Sequence, residues 1–311
     1  MEVTRTLAKF IVGHRYSDVP EKVRHEAARS FLNWVGCAVG ASRHETVENA
    51  LAALSEFSGP REATVLGRGD RLDIMLAALM NGTTSHTFDF DDTHLKTVIH
   101  PSGPVASAIL ALAERKPVKG DAFLHAFILG VEAECRIGNA VYPSHYDVGW
   151  HITATTGVFG AAAAAGRLLG LSEQQMVWAL GIAATQACGL REMFGSMVKP
   201  MHPGNAAKNG LLAALLASKN FTSAEQGIEG RRGFANVLAT QRLLERYKDT
   251  KLERFVYASS SSIYGDAESY PTSESVLPRP FSPYGVTKLA GEHLVLLYGR
   301  NFGMPVAALR Y

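Results

Sequence analysis

HITATTGVFGAAAAAGRLLGL, residues 151 to 171, is the stretch on which the fold class turns. Gly157, Gly160 and the small residues after them mimic the spacing of a dinucleotide-binding turn, in which backbone N–H groups cradle phosphate between a strand and a helix. HITATT does not read as that strand, and the glycines open an alanine-rich helix. Close helix packing is therefore the expected role of Gly157 and Gly160.

Outward from this run, apolar residues recur at three- and four-residue intervals from residue 1 to about 235, punctuated by Gly and Pro. Pro20 and Glu21 open a helix whose Val23, Ala27, Phe31 and Val35 share one face, expected to be core. Further helices are expected at 44–57, 71–86, 103–115, 119–139, 154–169, 172–187 and 203–219, with Ala63 to Leu66 the good strand candidate. Residues 1–235 thus read as a mainly α domain.

After residue 235 the pattern changes. A helix at 236–249 leads into the β-branched and aromatic run Arg254 to Ala258, then a serine cluster, a Pro-rich loop, a helix from Ser282 to Phe302 and a strand from Pro305 to Tyr311. Residues 236–311 therefore read as a partial α/β, Rossmann-like βαβ unit. Two parallel strands leave sheet edges unpaired, so this segment is expected to dock, associate or stay partly disordered.

The 311 residues are 47% hydrophobic and 19% charged, an ordinary globular composition. A net charge of +2 provides no field for nucleic acid or a membrane surface, so neither is an expected partner. The three cysteines, Cys37, Cys135 and Cys188, lie in apolar or small-residue stretches and fit buried reduced thiols. With no signal peptide and no stretch near ~20 apolar residues, a cytoplasmic location is expected.

The ionisable residues that stand out are Asp89, Asp91, Asp92, Thr93 and His94, then His100, His151, Lys199 and His202. Asp89 and Thr93 share a helical side if the helix persists, as Lys199 and His202 do around their proline-containing turn. Each residue alone has a structural reading. Asp89, Asp91, Asp92, His94 and His100 are potential ligands, but their spacing matches no closed zinc pattern and no metal is expected.

SHTFDFDDTH (85–94), HPSG (100–103), the 151–171 run and SMVKPMHPGNAAKNG (196–210) together resemble successive signatures of the MmgE/PrpD family. The resemblance implies a large helical domain with a smaller α+β lid, a cofactor-free lyase or isomerase of small polycarboxylates such as 2-methylcitrate, and a homodimer. It places Asp89, Thr93, His100, His151 and Lys199 at the active site, with His202 close by. Removing a proton next to a carboxylate builds enediolate charge, which requires a base and fixed cations. His151 or His100 would serve as base or acid and Lys199 would hold a carboxylate, while Asp89 and Thr93 orient a hydroxyl or an imidazole. Nothing resembling the lid follows residue 235, so impaired activity is expected.

In the second segment Tyr284 and Lys288 lie one helical turn apart, and a nearby ammonium lowers a phenol's pKa. RFVYASSSSIYG (254–265), PFSPYGVTKLAGE (280–292) and MPVAALRY (304–311) resemble extended short-chain dehydrogenases, the NAD-dependent epimerases and dehydratases. That resemblance implies a catalytic trio of Ser260, Tyr284 and Lys288, with Tyr284 and Lys288 also at the NAD cofactor. The Gly-rich phosphate loop is not seen, so NAD binding is not expected. Three readings follow: a polycarboxylate lyase, a nucleotide-sugar epimerase, or a non-catalytic chimera joined between residues 233 and 241.

Overall fold

A computed structural model describes residues 2–237, 247–248, 251, 253–266 and 272–311. They form two compact units that divide between Val237 and Leu238. The expected helix at 236–249 lies largely outside the described residues.

The first unit is helical. Its long elements are α1 (Val3–Gly13), α2 (Glu21–Gly40), α3 (Glu45–Leu54), α4 (Ile74–His86), α5 (Ser102–Arg115) and α6 (Gly120–Val141). After the short α7 (Ser144–Asp147) come α8 (Ile152–Leu169), α9 (Glu173–Ala184), α10 (Val198–Ser218) and the four-residue α11 (Phe234–Val237). The mainly α expectation therefore holds, with local differences that have identifiable causes.

The sequence reading missed α1, which buries Ala8 and Ile11 but has no side-chain N-cap to announce its start. On α2 the buried positions are Ala27, Trp34 and Ala38; Phe31 and Val35 are half-buried, and Val23 is 41% exposed, so the expected face is correct only in part. The helix expected from residue 71 begins at Ile74, where the Asp73 carboxylate accepts from the Met75 and Leu76 N–H groups. Arg71 and Leu72 instead form strand β2, which pairs antiparallel with β1 (Ala63–Thr64).

Helix α8 is the core, buried continuously from Ile152 to Gly166. Its length and composition would suit a membrane span, but 83% of it is covered by the protein itself. Small residues permit that burial: a Cβ on Gly160 would lie 2.9 Å from the Gly130 carbonyl oxygen and 2.9 Å from Glu134 Oε2. Gly157 would likewise strike Pro104 at 2.6 Å, so both glycines serve close packing against α5 and α6. The cysteines are free, but only Cys135 is buried. Cys37 is half-buried, and Cys188 is exposed with its Sγ accepting from the Asn205 amide. Cys188 precedes Gly189 in a connecting loop, where small neighbours signal a turn instead of core.

Glu134 is fully buried on α6, and neither carboxylate oxygen has a hydrogen-bond partner among the described residues. Burial, with the Asp92 charge adding to it, drives this carboxyl well above its ordinary range. A raised carboxyl binds its proton in the folded state where the unfolded chain has lost it, so it costs stability as pH rises above the ordinary value of 4.5. Glu134→Gln should therefore unfold at a higher temperature than wild type at neutral pH. The gain should grow by about 1.4 kcal/mol per pH unit through the window and vanish on acidification below it. Thermal melts across pH check this.

The second unit holds parallel strands β3 (Phe255–Ala258) and β4 (Val306–Leu309), joined in register Phe255 to Val306 through Ala258 to Leu309. Between them in sequence runs α12 (Pro283–Phe302), started by Ser282 accepting from the Gly285 N–H and stopped by left-handed Gly303. Val295, Tyr298 and Met304 form its small core. Glu292, buried on α12, pairs at 2.6 Å with Arg310, the residue after β4. Strand, helix and strand match the expected βαβ unit.

Candidate active site

The acidic run after α4 does three separate jobs. Helix α4 ends at His86, and Asp89 stands on left-handed backbone with φ +59°, so the helix does not persist and Asp89 and Thr93 do not share a helical face. Asp92 turns away to cap α5, accepting from the Ser102 hydroxyl at 2.8 Å and its N–H at 3.3 Å. Asp91 is buried and meets two imidazoles: His86 Nδ1 at 2.8 Å and His100 Nδ1 at 3.3 Å.

Asp89 Oδ1 receives the Lys199 ammonium at 2.6 Å, with His100 Nε2 at 3.7 Å and His86 Nε2 at 3.8 Å. Lys199 and His202 lie three apart in the first turns of α10, which begins five residues before its expected start and runs through Pro203, so they share a side of that helix as expected. His151 stands at the N-cap position of α8, and its Nδ1 lies 2.9 Å from His202 Nδ1. The His151 ring stacks on His86 at 5.8 Å and meets Phe194 edge-on at 4.9 Å. The Thr153 hydroxyl accepts from the His100 N–H, tying the loop to α8. Thr93 Oγ1 is 3.5 Å from His100 Nδ1.

Charge divides these groups into two sets. Burial pushes the Asp91 carboxyl up, but His100 and His86 outweigh it and hold it far below its ordinary range. Burial likewise opposes protonation of His100, but Asp91 and Asp89 override that and raise its pKa. His151 and His202 go the other way: burial and the neighbouring cations lower both, His202 to about 4 and His151 further. One imidazole thus holds a proton more readily than a free ring, while a second pair stays neutral at neutral pH. Separations of this kind mark acid and base roles.

His86, Asp89, Asp91 and His100 bring four ligand-type atoms within 4.8 Å, the one metal-like grouping among the described residues. Lys199 already supplies positive charge to Asp89 there, and His94 is turned away onto Thr97 at 2.7 Å.

Residues 5–246 match the family model described as the MmgE/PrpD N-terminal domain. The chain belongs to the MmgE/PrpD family. Residues 214–311 match a second model, the NAD dependent epimerase/dehydratase family, which overlaps the first over 214–246. Among relatives of the MmgE/PrpD part, cis-aconitate decarboxylase of Aspergillus terreus is 36% identical over 223 residues, covering 70% of this chain and 46% of that protein. Human cis-aconitate decarboxylase is 33% identical over 239 residues, covering 75% and 49%. The chain spans about half the length of these curated relatives. An uncharacterized UDP-glucose epimerase of Bacillus subtilis is 46% identical over 76 residues, 24% of each chain.

Within the MmgE/PrpD unit, Asp89, His100 and Lys199 converge, Thr93 adjoins His100 at the exposed edge, and His151 pairs with His202. Sequence reasoning missed His86, whose only signal is its place three residues before Asp89 in SHTFDFDD. In the epimerase-like unit Lys288 donates to the Ala258 carbonyl at 2.7 Å and lies 5.8 Å from the Tyr284 ring centroid, so those two come together. The Ser260 hydroxyl accepts from the Ser262 N–H and hydroxyl.

Proposed function

We propose that the MmgE/PrpD unit binds a small polycarboxylate and moves a proton on the carbon next to one of its carboxylates, the step common to dehydration of a 2-methylcitrate-like acid and decarboxylation of an aconitate-like one. What carries this reading is the convergence of Lys199 and His100 on one carboxylate oxygen, beside the neutral pair His151 and His202. Lys199 and His100 would hold the carboxylate on which enediolate charge develops. His151 would take the proton, with His202 orienting its ring. An incoming polyanion raises the pKa of both neutral imidazoles towards the working range. Asp89 is the counter-ion of Lys199 and helps raise the pKa of His100, and Thr93 steadies the His100 ring.

The test is a panel of citrate-like and aconitate-like acids followed by NMR for dehydration or decarboxylation. Turnover of at least one is expected, with His151→Ala slower by about 10²- to 10⁴-fold. Lys199→Met should abolish turnover, because it removes the cation on which enediolate charge develops. No turnover across the panel overturns the reading.

For the second unit we propose no independent NAD chemistry. In place of the strand and glycine turn that cradle a pyrophosphate, the sequence before β3 carries the helical MmgE/PrpD match. Calorimetric titration with NAD should show no heat of binding.

A further inference from the structure

We propose that Lys199, His100 and His86 form a carboxylate subsite that Asp89 fills with its own side chain, so that a polycarboxylate enters by exchanging one carboxylate for another. This rests on the polycarboxylate reading above and adds the occupant that must leave.

Three nitrogens from three parts of the fold point at one oxygen. Lys199 Nζ reaches Asp89 Oδ1 from the start of α10 at 2.6 Å, His100 Nε2 from the loop before α5 at 3.7 Å, and His86 Nε2 from the end of α4 at 3.8 Å. Asp91, at the Nδ1 atoms of both rings, fixes that aim. His86 Nε2 is buried and has no hydrogen-bond partner among the described residues, so the recess contains a polar atom that its present occupant leaves unmatched.

The occupant is poorly held by comparison. The Asp89 side chain is 54% exposed while His86 beneath it is fully covered. Its backbone is left-handed, and its neighbours Phe88 and Phe90 are 50% and 80% exposed, so little packing pins the segment down. Exchange is energetically mild. One carboxylate replaces another on an ammonium whose desolvation is already met, whereas a polycarboxylate brings further carboxylates that Asp89 cannot offer.

The test is calorimetric titration of the whole chain with tricarballylate, a tricarboxylate lacking the hydroxyl or double bond that elimination or decarboxylation requires. Asp89→Asn and Asp89→Gly both tolerate left-handed backbone and so preserve the fold. Both should bind the probe at least about 10-fold tighter than wild type, the factor expected if the subsite is self-occupied about nine-tenths of the time. The gain should persist at about 1 M salt, where through-space repulsion beyond about 3 Å is screened. Adding Lys199→Met to Asp89→Gly should abolish binding. Unchanged or weaker binding by both variants, or a gain that disappears in salt, overturns the inference. Tighter binding without turnover of any acid keeps the subsite and removes the lyase reading; turnover with unchanged binding does the reverse.

Discussion

Asp91→Ala is expected to destabilise the helical unit by about 3–5 kcal/mol at neutral pH, the usual cost of removing one member of a buried ionic group. The carboxylate is buried between His86 Nδ1 at 2.8 Å and His100 Nδ1 at 3.3 Å, and its loss leaves both ring nitrogens without the partner that fixes their tautomers. The deficit should depend on pH in a defined way. The Asp91 carboxyl is depressed, so its stabilisation is present above the ordinary value of 3.8 and is lost as pH falls through the folded value. His100 is raised, so its share is complete below 6.5 and is lost as pH rises through its folded value. Urea unfolding should therefore show the largest gap between variant and wild type in mildly acid to neutral solution, narrowing on strong acidification. A gap under about 1 kcal/mol at neutral pH would mean that Asp91 does not hold the two rings.

Gly204→Val should be nearly as damaging, for a steric reason. A Cβ at Gly204 meets the Leu79 carbonyl oxygen, Thr83 Oγ1 at 2.5 Å and the Thr83 backbone nitrogen at 2.8 Å, while one on Gly82 would sit 2.5 Å from Gly204 Cα. Helices α4 and α10 thus touch backbone to backbone, and no side-chain rotation makes room. Forcing them apart should cost about 3 kcal/mol or more in stability, at the upper end of overpacking. It also separates His86, on α4, from Lys199 and His202, on α10. A shift of about 1 Å is enough to lower activity roughly 100-fold. Thermal melts and polycarboxylate titration of the variant, with Gly204→Ala as the milder step, check both effects.

These two sites also show what the sequence could reveal. The helix positions were legible because Pro20 marks a start, and because Gly157 and Gly160 open an alanine-rich helix in place of the strand-to-helix turn of a nucleotide fold. The four MmgE/PrpD-like segments were legible as local runs. Their meeting was not: Gly82 against Gly204 pairs residues 122 positions apart, and nothing local to either announces the other.

The acidic run was misread for a related reason. Asp89 and Thr93 have helical spacing, but the chain leaves the helix at His86 because Asp91 must turn inward to two imidazoles and Asp92 must reach Ser102. Tertiary bonds overrode local periodicity there. His86 escaped notice because a histidine among small residues at a helix end looks like ordinary core. Its importance appears only when Nε2 is seen buried, unmatched and facing Asp89.

The central claim is that Lys199, His100, His151 and His202 loosen a proton next to a carboxylate. Deuterium exchange measures this directly: the chain is incubated with the polycarboxylate panel in D2O and the adjacent C–H signal is followed by proton NMR. Loss of that signal is expected with wild type, absent with Lys199→Met and much slower with His151→Ala. A signal that persists with wild type at the rate of buffer alone, for every acid tried, would contradict the account.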